Sequence, residues 1–332
     1  MKKYLNYGLI LFLTITSLLS CKKENNGALS TVATYTPLYI SSTSVTVGCI
    51  VKSDGGSGVV DCGIYISNSP NPETSNQKLK IGSDTGTYLG QIIGILPNMK
   101  YYVKAYAVNS KGESLGDQVD FTTPDEIRDT DNNLYKTVKI ENQLWMAENL
   151  KTTKYMNGDL IGTTTTATAN ISNENTPKYQ WAYNGDESNV DIYGRLYTWF
   201  AITDSRGVCP TGWHVPTDDE WHSLALTLDA SAQLTNGMES TFAGGMLREN
   251  GTTHWTSPNT GATNETLFSA LPGGYRYYDG KFNYINNTGI WCSSTQNNAD
   301  DTWNRYLFFS GSNLNRATDY KTNGYSVRCK KD

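Results

Sequence analysis

The sequence predicts a two-domain, β-rich chain: an all-β antiparallel sandwich followed by an α+β domain. Three observations carry this. Residues 29–123 read as short strands separated by turn signals roughly every eight to twelve residues. Thr122-Thr123-Pro124-Asp125-Glu126 then interrupts the pattern with a proline that cannot continue a ladder, so 124–126 is read as a linker. Beyond it, residues 127–332 carry two helical patterns early and many short strands late, which is α+β rather than α/β.

The chain has 332 residues, of which 38% are hydrophobic and only 18% charged, with 22 Tyr and 8 Trp. It can bury real cores, and it builds much of its surface from Tyr, Asn, Thr, Ser and Gly. Its net charge of −5 gives it no electrostatic reason to seek nucleic acid.

Residues 1–20 read as a signal peptide rather than as structure. Lys2 and Lys3 form a basic start, and Gly8–Leu19 is an apolar run too short for a permanent span. The run stops at Leu18-Leu19-Ser20-Cys21, which resembles a bacterial lipobox with Cys21 as the lipidated residue. Residues 21–28 then form a polar tether. The expected location is the outer membrane of a cell envelope, facing outward, held there by lipid.

In the first domain, Val45, Val47, Cys49 and Val51 alternate with Thr46, Gly48 and Ile50. Cys49 and Cys62 flank the Gly55-Gly56 turn symmetrically. They are expected to be bridged, the alternative being two small core residues. The stretch from Leu96-Pro97-Asn98 through Tyr101-Tyr102-Val103-Lys104-Ala105-Tyr106-Ala107 to Gly112 resembles an immunoglobulin-like fibronectin type III domain. That resemblance implies a corner role for Tyr101, its hydroxyl bonded to upstream backbone.

In the second domain, Leu134–Ile140 alternates as a strand and turns back into Leu144–Ala147. Gly158–Pro177, rich in Thr, Asn and Ser, reads as an exposed excursion. Tyr193, Leu196, Tyr197, Phe200 and Ala201 fall on one helical stripe. Thr217 and Glu220 form a capping box, with Asp218, Asp219 and Glu220 in the first turn, where the helix dipole favours acids. Trp221, Leu224, Ala225 and Leu228 supply the apolar face of that helix.

Several stretches together resemble the Fibrobacter succinogenes major paralogous domain. They are Trp145–Leu150, Tyr193-Gly194-Arg195-Leu196-Tyr197, Cys209–Trp221, Leu271-Pro272-Gly273-Gly274-Tyr275-Arg276 and Gly324–Cys329. The family is found in surface and secreted proteins of Bacteroidetes and Fibrobacteres, often lipoproteins. The resemblance implies a C-type-lectin-like fold, as in formylglycine-generating enzymes. It also implies a Cys209–Cys329 disulfide, whose loop of about 120 residues contributes roughly 4–5 kcal/mol in the chain-entropy model. Cys292 stands where the family has an aromatic residue and is taken as a free buried thiol.

No catalytic or metal constellation is legible, and no cofactor is expected. His214, His222 and His254 lack ligand spacing. G-x-S-x-G, H-E-x-x-H and Walker-type motifs do not occur. Asp129-Thr130-Asp131-Asn132-Asn133 reads as a turn rather than a calcium loop. Calcium-dependent lectins use an E-P-N-type triplet and a later W-N-D. Here Ser257-Pro258-Asn259 and Trp303-Asn304-Arg305 lack the needed carboxylates.

What remains is an aromatic cluster, some of it core. Tyr275, Tyr277, Tyr278, Tyr284 and Trp303 are the candidate ligand-binding residues. The expected function is a non-enzymatic binding or adhesion head for a glycan or protein. The alternatives are an assembly subunit of a surface appendage and, third, an enzyme of the formylglycine-generating type.

Overall fold

Period-two alternation of β-branched residues builds the first unit, because such side chains fill one face of a pleated strand. In the computed structural model, which describes residues 27–75 and 77–332, β1 (Thr31–Tyr35), β2 (Tyr39–Ser41) and β6 (Gly86–Ile93) all pair with β3 (Ser44–Ser53). The facing sheet runs β5 (Lys78–Gly82), β4 (Asp61–Ser67), β7 (Lys100–Asn109), β8 (Gly112–Thr122). Val45, Val47, Val51, Ile64, Val103 and Ala105 meet between them. The Tyr101 hydroxyl accepts from the Leu96 N–H at 2.9 Å, the corner expected for it. The expected signal peptide and lipidation site, residues 1–20 and Cys21, lie outside the described residues.

The expected Cys49–Cys62 bridge is corrected: both are free, buried thiols. They are not cross-strand partners, since Cys49 sits opposite Thr34 and Tyr88 in one sheet and Cys62 opposite Ala107 in the other. Each serves as a small apolar core residue. Burial pushes the Cys49 thiol up to about 12 and raises Cys62 as well.

The second unit begins with two hairpins, β9 (Ile127–Arg128) with β10 (Leu134–Tyr135), and β11 (Thr137–Ile140) with β12 (Gln143–Met146). Asp129 closes the first turn by accepting from the backbone N–H groups of Asp131 and Asn133. β11 also pairs with β2, Ile40 opposite Lys139, so one sheet crosses from the sandwich into the head.

The helix expected over Tyr193–Ala201 is corrected to two single-turn helices, α1 (Val190–Tyr193) and α2 (Trp199–Ile202). Gly194 separates them at φ 74°, packed so tightly that a Cβ would meet the Leu150 carbonyl oxygen at 2.8 Å. β13 (Gln180–Trp181) then pairs with β14 (Leu196–Tyr197). The apolar spacing serves these separate turns instead of one helix.

The segment around Cys209 folds as its sequence indicates. β15 (Trp213–His214) leads to α3 (Asp218–Leu228), with both hydrogen bonds of the Thr217–Glu220 capping box formed. Trp221 packs on Trp145, ring centroids 4.9 Å apart, and Leu224, Ala225 and Leu228 enter the same core. Cys209 is bonded to Cys329, which fastens the approach to α3 onto β22 (Lys330–Lys331), itself seated between β12 and β15.

Asp218 does more than favour a helix dipole. It receives Arg305 and Arg316 at 2.6 Å each, and Arg305 also binds Glu239, all within the interior. Glu239 in turn meets His222 at 2.7 Å. Three further arginines are fully enclosed without a carboxylate partner: Arg248, Arg276 and Arg328. Each spends its guanidinium on main-chain carbonyls, among them Gly311 for Arg248, Ala167 for Arg276 and Ser269 for Arg328. Arg276 also stacks over Trp181 at 4.0 Å and Arg328 over Phe268 at 4.2 Å. In a domain so rich in irregular backbone, these forks satisfy carbonyls that no ladder reaches. Arg276 thereby ties down the 158–177 excursion, whose residues are mostly exposed or half-exposed.

After α3 come β16 (Gly237–Ser240), α4 (Ala243–Leu247), β17 (Tyr275–Arg276), β18 (Phe282–Asn283), β19 (Thr288–Gln296), β20 (Asp301–Phe308) and β21 (Leu314–Tyr320). The last sheet runs β16-β21-β20-β19. Its inner face carries Trp291 and Leu307 into the core formed with α3.

Candidate functional site

Alternation along β20 divides its side chains between two faces. Arg305 and Leu307 point inward; Asn304, Tyr306 and Phe308 therefore stand on the outer face. Register adds Thr288 opposite Phe308, Ile290 opposite Tyr306, and Ala317 opposite Asn304. The β17–β18 hairpin carries Tyr275 and Tyr284 over this face. Gly274 makes the hairpin's approach at φ 63°, where a Cβ would lie 2.3 Å from the Asn283 carbonyl oxygen. Together these residues enclose a cavity of about 360 Å³, open to solvent, with Asp319 in its wall.

Tyrosines continue outward from the cavity. Tyr284 stacks on Tyr275 at 6.0 Å, and Tyr275 is backed by the buried Tyr325. Tyr275 meets Tyr277 at 6.5 Å, Tyr277 meets Tyr278 at 4.3 Å, and Tyr278 meets Tyr320 at 5.4 Å. Tyr284, Phe308 and Tyr320 are exposed, at 58%, 44% and 43%, so the strip is a true surface feature and not the edge of the core.

The structure thus brings together Tyr275, Tyr277, Tyr278 and Tyr284. It does not bring Trp303 to them. Trp303 shares the inward parity of Arg305, and the Arg316 guanidinium covers its ring at 3.2 Å. Tyr306, Phe308, Tyr320 and Asn304 belong to the site, although sequence reasoning missed them. For Asn304, Tyr306 and Phe308 the signal was their i, i+2 spacing on one strand; Tyr320 lies on the next strand.

Electrostatically the cavity is one-sided. Asp319 is its ionisable carboxylate, and burial raises its pKa above the usual range. Lys, Arg and His are absent from its lining. At the floor, Asn304 is 2% exposed, and neither its amide nitrogen nor its oxygen has a hydrogen-bond partner among the described residues. The Thr288 hydroxyl is in the same position.

The other chemistry-bearing residues are engaged elsewhere. His214, His222 and His254 each face a carboxylate, Glu220, Glu239 and Glu249. The Asn259 amide nitrogen donates to the carbonyls of Glu249 and Gly251. Among the described residues, no group of three or more metal-binding side chains assembles. Cys292 is fully buried, and burial pushes its thiol up to about 12, which makes it a poor nucleophile.

The model of the Fibrobacter succinogenes major domain matches residues 138–331. The chain belongs to that family. Every residue of the cavity and the tyrosine strip falls within the matched domain. A comparison with curated proteins finds no match. Solved structures similar to part of the chain include the sensor domain of the anti-sigma factor RsgI4 of Pseudobacteroides cellulosolvens, 17% identical with a TM-score of 0.24, covering 30% of this chain and 97% of that one. A human fourth fibronectin III domain is 17% identical with a TM-score of 0.23, covering 36% of this chain and 90% of that one. Titin domains A168–A170 are also 17% identical, with a TM-score of 0.22 and coverage of 30% and 32%.

Proposed function

We propose that this chain is a lipid-anchored cell-envelope protein whose C-type-lectin-like head binds a ligand, a glycan or a protein, through the tyrosine face. The anchor reading is supported by the basic start, the short apolar run and Cys21 at its end. The single observation that carries the binding reading is the contiguous tyrosine strip leading into an open cavity on the outer sheet. A folded domain gains nothing by exposing such a strip, whereas a recognition surface uses it.

The full chain is tested against arrayed glycans and extracellular proteins, beside the double variant Tyr275→Ala/Tyr320→Ala. Attachment that the variant loses supports the reading; attachment that it keeps overturns it. For the anchor, Cys21→Ser releases the chain from the membrane pellet, and protease shaving of intact cells removes the wild-type head. A head that survives on intact cells and falls only after lysis overturns the outward placement.

An assembly role has one observation of its own. β6 is an edge strand of eight residues with Leu89 and Ile93 exposed, a template for strand addition. Concentration-dependent oligomers abolished by Ile93→Lys would favour it.

A further inference from the structure

The carboxylate in the wall of the tyrosine cavity lacks a counter-ion. Asp319 pairs with Thr302 across the sheet, which places its side chain on the face of Ala317, Asn304 and Tyr306. It is half-buried and lines the cavity. Around its carboxylate stand the Tyr320 N–H at 2.8 Å, the Asn323 amide at 3.1 Å and the Tyr325 hydroxyl, and among the described residues no Lys, Arg or His pairs with it. Asp301 adds a second negative charge nearby. The neighbouring basic residues are engaged elsewhere. Arg316 binds Asp218 on the opposite face, and Lys321 places its ammonium on Gln296 and on the carbonyls of Asn298 and Ala299. Burial raises the Asp319 pKa, so its ionised form is held at a cost that a cation in the cavity relieves.

The remaining wall is largely aromatic, with Tyr275 and Tyr284 over the sheet and Tyr306 and Phe308 on it. The faces of such rings attract a cation and repel an anion. Burial and then the Asp319 charge raise the Tyr275 pKa, which puts the carboxylate within electrostatic reach of the rim. The polar atoms of the Asn304 and Thr288 side chains are sealed from solvent and take no part. Register gives the shape. Phe308, opposite Thr288, marks one end and Asp319, opposite Thr302, the other, a length of about 20 Å along the strand. The cavity is thus an apolar slot that ends in a carboxylate.

We propose that this slot receives an arginine or lysine side chain of a protein ligand, its methylene stem against Ile290, Tyr306 and Phe308 and its charged head at Asp319. The inference rests on the reading of the tyrosine face as the recognition surface, and it selects a protein over a glycan. Arg and Lys carry their charge at the tip of an apolar stem, the order in which the slot presents its walls. An amino sugar sets its charge directly on a hydroxyl-covered ring, which the apolar end does not match. Uronic acids, sialic acids and phosphates meet Asp319 and Asp301 without compensation. A quaternary ammonium uses the rings but has no N–H to donate to the carboxylate.

The test uses the full chain, solubilised in a non-ionic polyoxyethylene detergent. Saturation-transfer NMR and calorimetry are run with the Nα-acetyl amides of arginine, lysine and citrulline, with methyl glucosaminide and with choline. The arginine or the lysine amide is expected to bind with Kd of about 1 mM or tighter. Citrulline has the shape of arginine without its charge, and its amide is expected to bind at least ~10-fold more weakly. Asp319→Asn keeps an oxygen to accept from Tyr320 and Asn323. It is expected to weaken the basic amide at least ~10-fold with Tm unchanged or raised, because it removes a half-buried charge that lacks a counter-ion. Tyr284→Ala and Phe308→Ala, at exposed positions, are expected to weaken it too.

Citrulline amide binding as tightly as arginine amide overturns the proposal. So does Asp319→Asn lowering Tm while binding stays intact, the result of a merely structural carboxylate. Methyl glucosaminide or choline bound more tightly than both basic amides overturns the basic side chain and leaves the recognition face standing. A silent panel overturns the basic side chain as well. In that case the recognition face stands if Tyr275→Ala/Tyr320→Ala still abolishes array attachment, and falls with it otherwise.

Discussion

Asp218→Asn should be among the most damaging single substitutions in the head. The carboxylate holds two guanidiniums at 2.6 Å each, and the side chains of Arg305 and Arg316 are 0% and 8% exposed. Removing its charge leaves Arg305 with Glu239 alone and Arg316 with no carboxylate partner among the described residues. Breaking a buried pair from one side typically costs about 3–5 kcal/mol, because the stranded charge stays desolvated. Asp219→Asn is the matched control. It makes the same chemical change one residue along the same helical turn, but Asp219 is exposed, so only the dipole contribution of about 0.3–1 kcal/mol is lost. The assay is urea unfolding followed by tryptophan fluorescence. All eight tryptophans lie at or beyond Trp145, so the signal reports the head and not the sandwich. Equal losses for the two variants would refute the ion cluster and return Asp218 to the role of a helix-start acid.

The pH dependence follows with a definite sign. Burial alone would raise the Asp218 pKa, but Arg316 and Arg305 outweigh it and hold the group below its ordinary value. A depressed carboxylate contributes stability that is complete above its unfolded pKa, near 3.9, and is lost as pH falls through the folded one. Wild-type head stability should therefore fall on acidification below about pH 4, and Asp218→Asn should flatten that limb.

Three further outcomes are expected. Replacing Cys209 and Cys329 by Ser opens a loop spanning 120 residues and should cost about 4–5 kcal/mol, read as a lower urea midpoint; a loss under about 1 kcal/mol would count against the clamp. Arg328→Lys keeps a charge but loses the fork that reaches Asn149 and Ser269, so a loss of about 2–4 kcal/mol is expected, and an unchanged midpoint would show the fork to be dispensable. Cys49 and Cys62, free and buried, should resist a thiol reagent until the sandwich unfolds and then label together; mass spectrometry finding them joined in the native chain would refute their assignment as thiols.

How much was legible depended on whether the determining interaction was local. The capping box at Thr217 and Glu220 is a four-residue event, and it formed as written. The stripe from Tyr193 to Ala201 is also local, yet it misled, because Gly194 needs a left-handed turn against Leu150, a contact no window of sequence contains. Nothing local in sequence marks Arg248, Arg276 and Arg328 as buried, because the carbonyls that hold them at the centre come from distant segments. At the site, four tyrosines close in sequence were recognisable as a group. Trp303, grouped with them in sequence, lies on the Arg305 face of its strand under the Arg316 guanidinium. One step along β20 changes the face, and Asn304 rather than Trp303 stands beneath the rim.

The seam between β2 and β11 has a mechanical consequence. Tyr39–Ser41 and Val138–Ile140 exchange main-chain hydrogen bonds within a single sheet, and Thr46 reaches across to the Glu265 carbonyl at 2.8 Å. The proline-bearing segment between the two units is thus no swivel. A load applied at the N-terminal end and resisted at the tyrosine face passes through this short ladder, and the cavity keeps one bearing relative to the sandwich as it does so. Ile40→Pro, which removes a ladder donor there, would turn a strut into a hinge.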